Sequence, residues 1–346
     1  RPLHKFDWAQ GLTEHEWGKE VSAVIERQVL EPLTELSVRP QIPCLTPVQD
    51  IISQSVRDQY EENPYPRWVI TSLFEKGEPI GAVLTAAPNR YSLGDYETPN
   101  NPEVLIAGCG TGQHPLGTAT RFKGSRVLAI DLSLSSLSYA ARKTKELGVT
   151  NIEYAQADIM ELGKLDRQFD LIESAGVLHH LDDPMAGWKV LVDLLKPGGL
   201  MKISLYSEAA RQSIVSGRSM IAEMGYTSST EDIRRCRQDI ITRVESGNSS
   251  LEKLLNLKDF FSLSECRDLL FHVQEHRFTI PQIGDALDVL NLKFLGFTMR
   301  DHSVIKKFKE VFTKEGDLTS LALWHEFEEQ YPDTFIGMYQ FWCIKQ

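Results

Sequence analysis

Apolar and polar positions fall into two regimes along this chain. Between residues 101 and 207, short apolar runs alternate with polar stretches of helical spacing. The runs are EVLIAG (103–108), SRVLAIDLS (125–133), IEYAQADI (152–159), FDLIESAG (169–176) and GLMKISLYS (199–207). Each is short and bounded by turn formers, as expected of strands in a buried sheet. PLGTATRF, SLSYAARKTKELG and PMAGWKVLVDLL read as the intervening helices, the last stopped by Lys-Pro-Gly-Gly. This alternation predicts βαβ units and a parallel sheet.

Outside that window the pattern is mostly helical. HEWGKEVSAVIERQVLEPL carries Val21, Val24, Ile25, Val29 and Leu30 on one face and is expected to end near Pro32. The proline-marked RPQIPCLTPVQD then leads into IISQSVRDQYEENPYPRW. Residues 208–278 read as polar helices with a serine-rich interruption, ESGNSSLEK. TIPQIGDALDVLN predicts a helix, LKFLGFTM (292–299) a strand, 303–329 a helical insertion, and FIGMYQFWCIK (335–345) a last strand. The final two strands are expected to pair antiparallel. The predicted organisation is an N-terminal helical segment and lid strap (1–100), a nucleotide-binding core (101–207), a helical cap insertion (208–278) and a C-terminal completion of the core sheet (279–346).

Candidate chemistry begins at VLIAGCGTGQH. A glycine-rich turn after the first strand lets backbone approach a ligand closely. The spacing is Gly108-x-Gly110-x-Gly112, followed by Gln113 where a dinucleotide fingerprint has its third glycine; no Gly-Lys-Ser/Thr follows, which excludes a P-loop. The second strand ends in Asp131, with Leu132 beside it, where a carboxylate accepts from both ribose hydroxyls. The third ends in QADI, so Asp158 is placed to accept from an adenine amino group and Ile159 to cover the ring. The carboxyl ends of such strands border one crevice. Together they describe a pocket for adenosine without a pyrophosphate.

The set VLIAGCGTG, VLAIDLS, EYAQADI, FDLIESAGVLHHLDDP and LLKPGGLMKISLYS resembles the class I S-adenosyl-L-methionine (SAM)-dependent methyltransferases. The resemblance implies a Rossmann-like, doubly wound seven-stranded sheet with an antiparallel terminal hairpin. It also implies SAM as cofactor and methyl transfer as the reaction. DQYEENPYPRW, DLSLSSLSYA and FSLSECRDLLFHVQEHRFTIPQI are similar to bacterial methyltransferases often fused behind tetratricopeptide repeats, which makes an upstream repeat domain an expected partner. One departure stands out. The family carries an acid two positions before the first glycine, and here that position is Ile106.

Further candidates surround this core. Tyr60, Tyr65, Arg67 and Trp68 form a dense ring-and-charge cluster. Either the segment folds over the cofactor mouth, with Tyr60 or Arg67 meeting cofactor or substrate, or it packs its rings on the core. His179 and His180 follow the fourth strand; His179 is either a general base or part of a structural helix start capped by Asp182 or Asp183. Glu173 is expected in the pocket, and Tyr206 either touches the acceptor or closes the sheet edge. HVQEH (His272, Glu275, His276) matches a zinc-hydrolase pattern if helical, with packing or substrate contact as the favoured alternative and no metal expected. KKFKEVFTKEG (306–316) reads as a solvated basic surface.

Composition narrows the functions. At 346 residues and 42% hydrophobic, the chain can bury a large core. The formal net charge of −11 disfavours a nucleic-acid substrate. Five scattered cysteines without a CxxC pair fit a reducing, cytoplasmic setting, and no run approaches membrane-spanning length. The start at Arg1 suggests a processed or excised form. The fourth strand ends in ESAG, not Asn-Pro-Pro-Tyr, and no Pro-Cys follows. The expected reaction is therefore methyl transfer to N, O or S of a small-molecule or protein side-chain acceptor under the cap. The alternatives are a non-catalytic SAM- or nucleoside-binding regulatory module and a metallohydrolase built on HVQEH.

Overall fold

In the computed structural model, residues 2–89, 91–299, 301–312 and 317–346 are described. The last residues of KKFKEVFTKEG, 313–316, lie outside them. The N-terminal segment contains α1 (Lys19–Ile25), α2 (Glu31–Val38), α3 (Ile51–Glu62) and α4 (Ile80–Ala86). Pro32 does not end the first helix. A π turn over Glu26–Leu30 joins α1 to α2, with the Glu31 N–H donating to the Glu26 carbonyl. This wider register accommodates a residue that has no N–H of its own.

The core strands form as expected: β1 (Glu103–Ala107), β2 (Arg126–Asp131), β3 (Ile152–Gln156), β4 (Phe169–Ala175) and β5 (Leu195–Tyr206). The helices between them are α5 (Gln113–Arg121), α6 (Leu134–Glu146) and α7 (Pro184–Leu194). Side chains alternate between two packed faces. Leu105, Ala107, Leu128, Ile130 and Ile172 join Trp188 and Leu191 on one side, while Val104, Ile106, Val127, Ala129 and Leu171 join Phe122, Leu137 and Ala140 on the other. Burial on both faces explains why these strands read as continuous apolar runs.

Three helices follow in the cap, α8 (Gln212–Met224), α9 (Thr230–Glu245) and α10 (Leu263–Phe271). They pack around their own buried cluster, including Ile214, Ile233, Ile240, Leu254 and Phe260. Beyond them come α11 (Ile280–Val289), β6 (Leu292–Phe297), α12 (Ser303–Val311), α13 (Leu321–Gln330) and β7 (Met338–Lys345). The strand order is β3-β2-β1-β4-β5-β7-β6, with β7 antiparallel to both neighbours. This is the Rossmann-like seven-stranded sheet with an antiparallel terminal pair. Among the described residues no helix is long and apolar enough to cross a membrane.

Two joints hold the additions to the core. The proline-marked segment bonds the outer strand, with Leu45 N–H donating to Gln156 O and Gln156 N–H to Pro43 O, both at 2.8 Å, which covers a sheet edge. The cap leaves after Tyr206 and returns at Phe278, where Phe278 N–H donates to Tyr206 O and Glu208 N–H to Phe278 O, again at 2.8 Å. Residues 272–278 are therefore extended, and α10 ends at Phe271. His272 and His276 do not share a helix face, so the zinc-hydrolase geometry fails. Among the described residues no group of three His, Cys, Asp or Glu side chains is arranged to hold a metal ion.

Candidate active site

Strand order reverses at β1, whose neighbours are β2 and β4, and ligands bind at such switch points beyond the carboxyl ends. A cavity of about 840 Å³ opens there, bounded by the glycine loop, α3 and the segment after it, the cap, and the turn before β7. Of the residues expected to bind the cofactor, Gly108, Gly110, Gln113, Asp131, Leu132, Asp158, Ile159 and Tyr60 line it.

The loop's shape explains its glycines. Gly108 has φ +79°, and a Cβ there would fall 2.2 Å from Val177 Cγ2. The Gly110 N–H donates to Asp131 Oδ2 at 2.8 Å, and the Ser133 N–H donates to Oδ1 at 2.9 Å. Burial pushes the Asp131 carboxyl up, against the pull of the Ser133 and Gly110 amides. Each oxygen keeps one accepting direction, enough for a diol. Asp158 accepts from Met160 N–H through Oδ1 at 3.0 Å, while its buried Oδ2 makes no well-formed hydrogen bond; the nearby Ser53 hydroxyl only pulls against burial, which pushes the carboxyl up. A buried acceptor left unsatisfied is costly, and an amino group in the cavity would satisfy it.

The strap is pinned on the glycine loop. Trp68, 8% exposed, donates its ring N–H to Thr111 O at 3.1 Å, while the Thr111 hydroxyl donates to Pro66 O and the Tyr139 hydroxyl to Trp68 O. Tyr60 and Tyr65 face the cavity. Arg67 does not: Trp68 turns inward, which leaves Arg67 exposed with its guanidinium 5.6 Å from the Tyr139 ring centre. Gly112 is also absent from the cavity wall. Its φ is +90°, and a Cβ would fall 2.6 Å from that of Ala140, so it serves the packing of α5 on α6.

Two expected catalytic residues lie behind the wall. Residues Leu178–His180 form a 3-10 turn, which points successive side chains about a third of a turn apart. His180 therefore lines the cavity, while His179 is fully buried beneath the Tyr206 ring at 3.6 Å between centres. His179 Nδ1 accepts from Tyr206 N–H, which places its proton on Nε2, and burial drives its pKa well down. His180 bonds Gln274 O through Nδ1 at 2.7 Å, and burial holds it down to about 3. Neither ring is a strong base at neutral pH. Glu173 is 2% exposed and bonds His114 Nε2 at 2.9 Å and the Thr118 hydroxyl. Burial alone would raise its pKa, but the His114 ring, Lys202 and Thr118 hold it down to about 2. It is a buttress for α5, not part of the wall.

The cap side was not legible in advance. Asp268 lines the cavity and accepts from the Tyr60 hydroxyl at 2.7 Å; burial pushes its carboxyl up to about 6. Asp259 accepts from the Tyr65 hydroxyl at 3.4 Å. Tyr206 lies between His179 and Arg211, whose guanidinium is 3.5 Å from the ring centre and paired with Glu275 at 2.6 Å. Burial pushes the Tyr206 phenol up, so it remains protonated.

Comparison with known proteins bears on the family and the fold. Residues 104–199 match the family described as Methyltransferase domain. The core is a class I SAM-dependent methyltransferase domain. A ubiquinone biosynthesis O-methyltransferase of Acinetobacter baylyi is 34% identical over 98 residues, 28% of this chain and 40% of that protein. An uncharacterised protein of Synechococcus sp. is 27% identical over 303 residues, 84% of this chain and 70% of that one. The structure of PKMT2 from Rickettsia typhi in complex with AdoHcy superimposes with a TM-score of 0.59 at 18% identity, which shows a common fold. That match covers 82% of this chain, and the chain spans 55% of the length of that neighbour.

Proposed function

We propose that this chain transfers a methyl group from SAM to an amine-bearing acceptor enclosed between strap and cap. The observation that carries the reading is the convergence of Asp131 and Asp158 on one cavity, the second with an orphaned buried oxygen. These residues fit the donor: Asp131 for the ribose diol, Asp158 for the adenine amino group, Ile159 for the ring face, and the glycine loop for close passage of the chain bearing sulfur. SAM supplies an activated methyl, so the protein's work is alignment and exclusion of water. The cavity lies in the upper part of the usual range for ligand sites, about 300–1,000 Å³, consistent with two ligands.

The cap's charge supports an amine. Asp259 and Asp268 face the cavity with tyrosine hydroxyls as partners and no cation within ion-pair distance among the described residues. Half-buried carboxylates on a cavity wall attract a positive group. An ammonium held there must lose its proton before attack, and a neighbouring sulfonium favours that loss by repulsion. His179 and His180 are too weak as bases to take it, so the proton passes to water as the acceptor enters the cavity.

Calorimetry with SAM and S-adenosylhomocysteine tests the donor half; binding that is strong in the wild type and lost in D131N and D158N is expected. Transfer of labelled methyl from SAM to a panel of amines and matched alcohols tests the acceptor half. Absence of binding by both nucleosides refutes the reading, and label appearing on alcohols alone refutes the amine.

A further inference from the structure

Among the described residues three lysine and arginine side chains line the cavity, and two of them are paired. Arg211 is forked onto Glu275, with nitrogen–oxygen separations of 3.0 and 2.6 Å, and Lys253 pairs with Asp333. Lys202 is different. It lines the cavity from β5, is half-buried, and makes no hydrogen bond or ion pair among the described residues; its amino group lies 5.8 Å from the Trp342 ring centre. In register it sits beside Glu173 on β4, which in turn sits beside Ile106 on β1. Glu173 is committed to α5 through His114 and Thr118. Lys202 acts on the Glu173 carboxylate across the strands without a direct hydrogen bond or ion pair to it, so its half-buried ammonium retains the capacity to take an anion.

The sheet order says which anion. From the edge inward, the cavity meets Asp158 after β3, Asp131 at the end of β2, the glycine loop after β1, and Lys202 in β5 beyond β4. The donor has the same covalent sequence: adenine, ribose, sulfur, and an amino acid ending in a carboxylate. Asp158 and Asp131 suit the first two groups, and the glycine loop leaves room for the third. The fourth then arrives on the Lys202 side.

We propose that Lys202 binds the α-carboxylate of the methionyl end of SAM. This rests on the donor assignment above and goes beyond it by naming the group that recognises the amino-acid end. Glu173, tethered to α5, keeps the face of the sheet beside Lys202 fixed. Position 106, an isoleucine, takes no part.

The test compares SAM with decarboxylated SAM, which keeps the nucleoside, sulfonium and amine but lacks the carboxylate. By calorimetry the wild type should prefer SAM by about 10- to 100-fold, the range of one charge-assisted contact. K202M should bind decarboxylated SAM as the wild type does and lose most of that preference, while K202R should retain most of it. A K202M protein that still prefers SAM by the wild-type factor overturns the proposal, as does a wild type without preference. If K202M binds neither compound, K202Q decides by the same ratio. A wild type that binds neither compound refutes the donor assignment itself, which keeps the two failures distinct.

Discussion

Asp268 is the carboxyl whose environment is most exposed to test, because its cost to the fold depends on pH. Its pKa is pushed from 3.8 up to about 6, chiefly by burial, with the Tyr60 hydroxyl pulling the other way. The folded chain therefore holds this proton more tightly than the unfolded chain. Between about pH 4 and pH 6 the native state binds more protons, so this group's contribution to stability falls as pH rises. Below that window the penalty is absent, and above it the penalty is complete. A displacement of this size corresponds to about 3 kcal/mol. D268N removes the charge while its amide oxygen still accepts from Tyr60. For a chain of 346 residues, about 3 kcal/mol corresponds to about 4 °C in the melting midpoint. Thermal melts of both proteins at matched ionic strength should show similar midpoints near pH 4. By pH 7.5 D268N should have gained about 4 °C on the wild type. The comparison cancels the titrating groups that do not interact with Asp268, leaving Asp259 and Glu275 as its charged carboxylate neighbours. A gap that does not change with pH, or a wild type that gains on D268N as pH rises, would refute the argument that burial dominates at this carboxyl.

The remaining predictions concern the loop and strap. D131A leaves the Gly110 and Ser133 amides without their acceptor, so S-adenosylhomocysteine affinity measured by calorimetry should fall about 100-fold or more. G108A meets both a left-handed φ and the Val177 methyl, so urea denaturation should show a loss of about 3 kcal/mol; V177A in the same chain should restore part of it, leaving the backbone cost. W68F loses the bond to Thr111 O and should cost about 1 kcal/mol while loosening the strap, seen as faster proteolysis within 60–75.

Sequence reached the core because its determinants are local. Each strand of residues 101–207 carries its burial pattern within itself, and the residues proposed to bind the nucleoside sit at the ends of those strands. The same locality explains the failures at single residues. A period of two places alternate strand residues on opposite faces, but it does not say how far a side chain lies beneath the wall, and Glu173 lies beneath it. A pair of adjacent histidines does not reveal which enters the cavity until the turn type is known. HVQEH matched a helical pattern in a stretch that the cap's return forces to be extended.

The cap side of the cavity failed for a different reason. Tyr60 and Asp268 are 208 residues apart, and Tyr65 and Asp259 are 194 apart, so no local window contains either pair. These contacts exist because the cap leaves and rejoins the sheet at Tyr206–Phe278, is tied again through His276 N–H to His179 O, and packs back over the strap. Lys202 is the intermediate case. A lysine inside GLMKISLY, otherwise apolar at its neighbours, was a readable signal, since a charge in a strand buried on both faces needs a reason. What the sequence lacked was the fate of the other cations. Only once Arg211 and Lys253 are seen to be paired with Glu275 and Asp333 does Lys202 stand out, among the described residues, as the cavity cation with no direct ion pair. Recognition of the donor's amino-acid end thus depends on which cavity cations are already paired, so freeing Arg211 with E275Q should give the carboxylate a second cation and preserve part of the SAM preference when Lys202 is replaced.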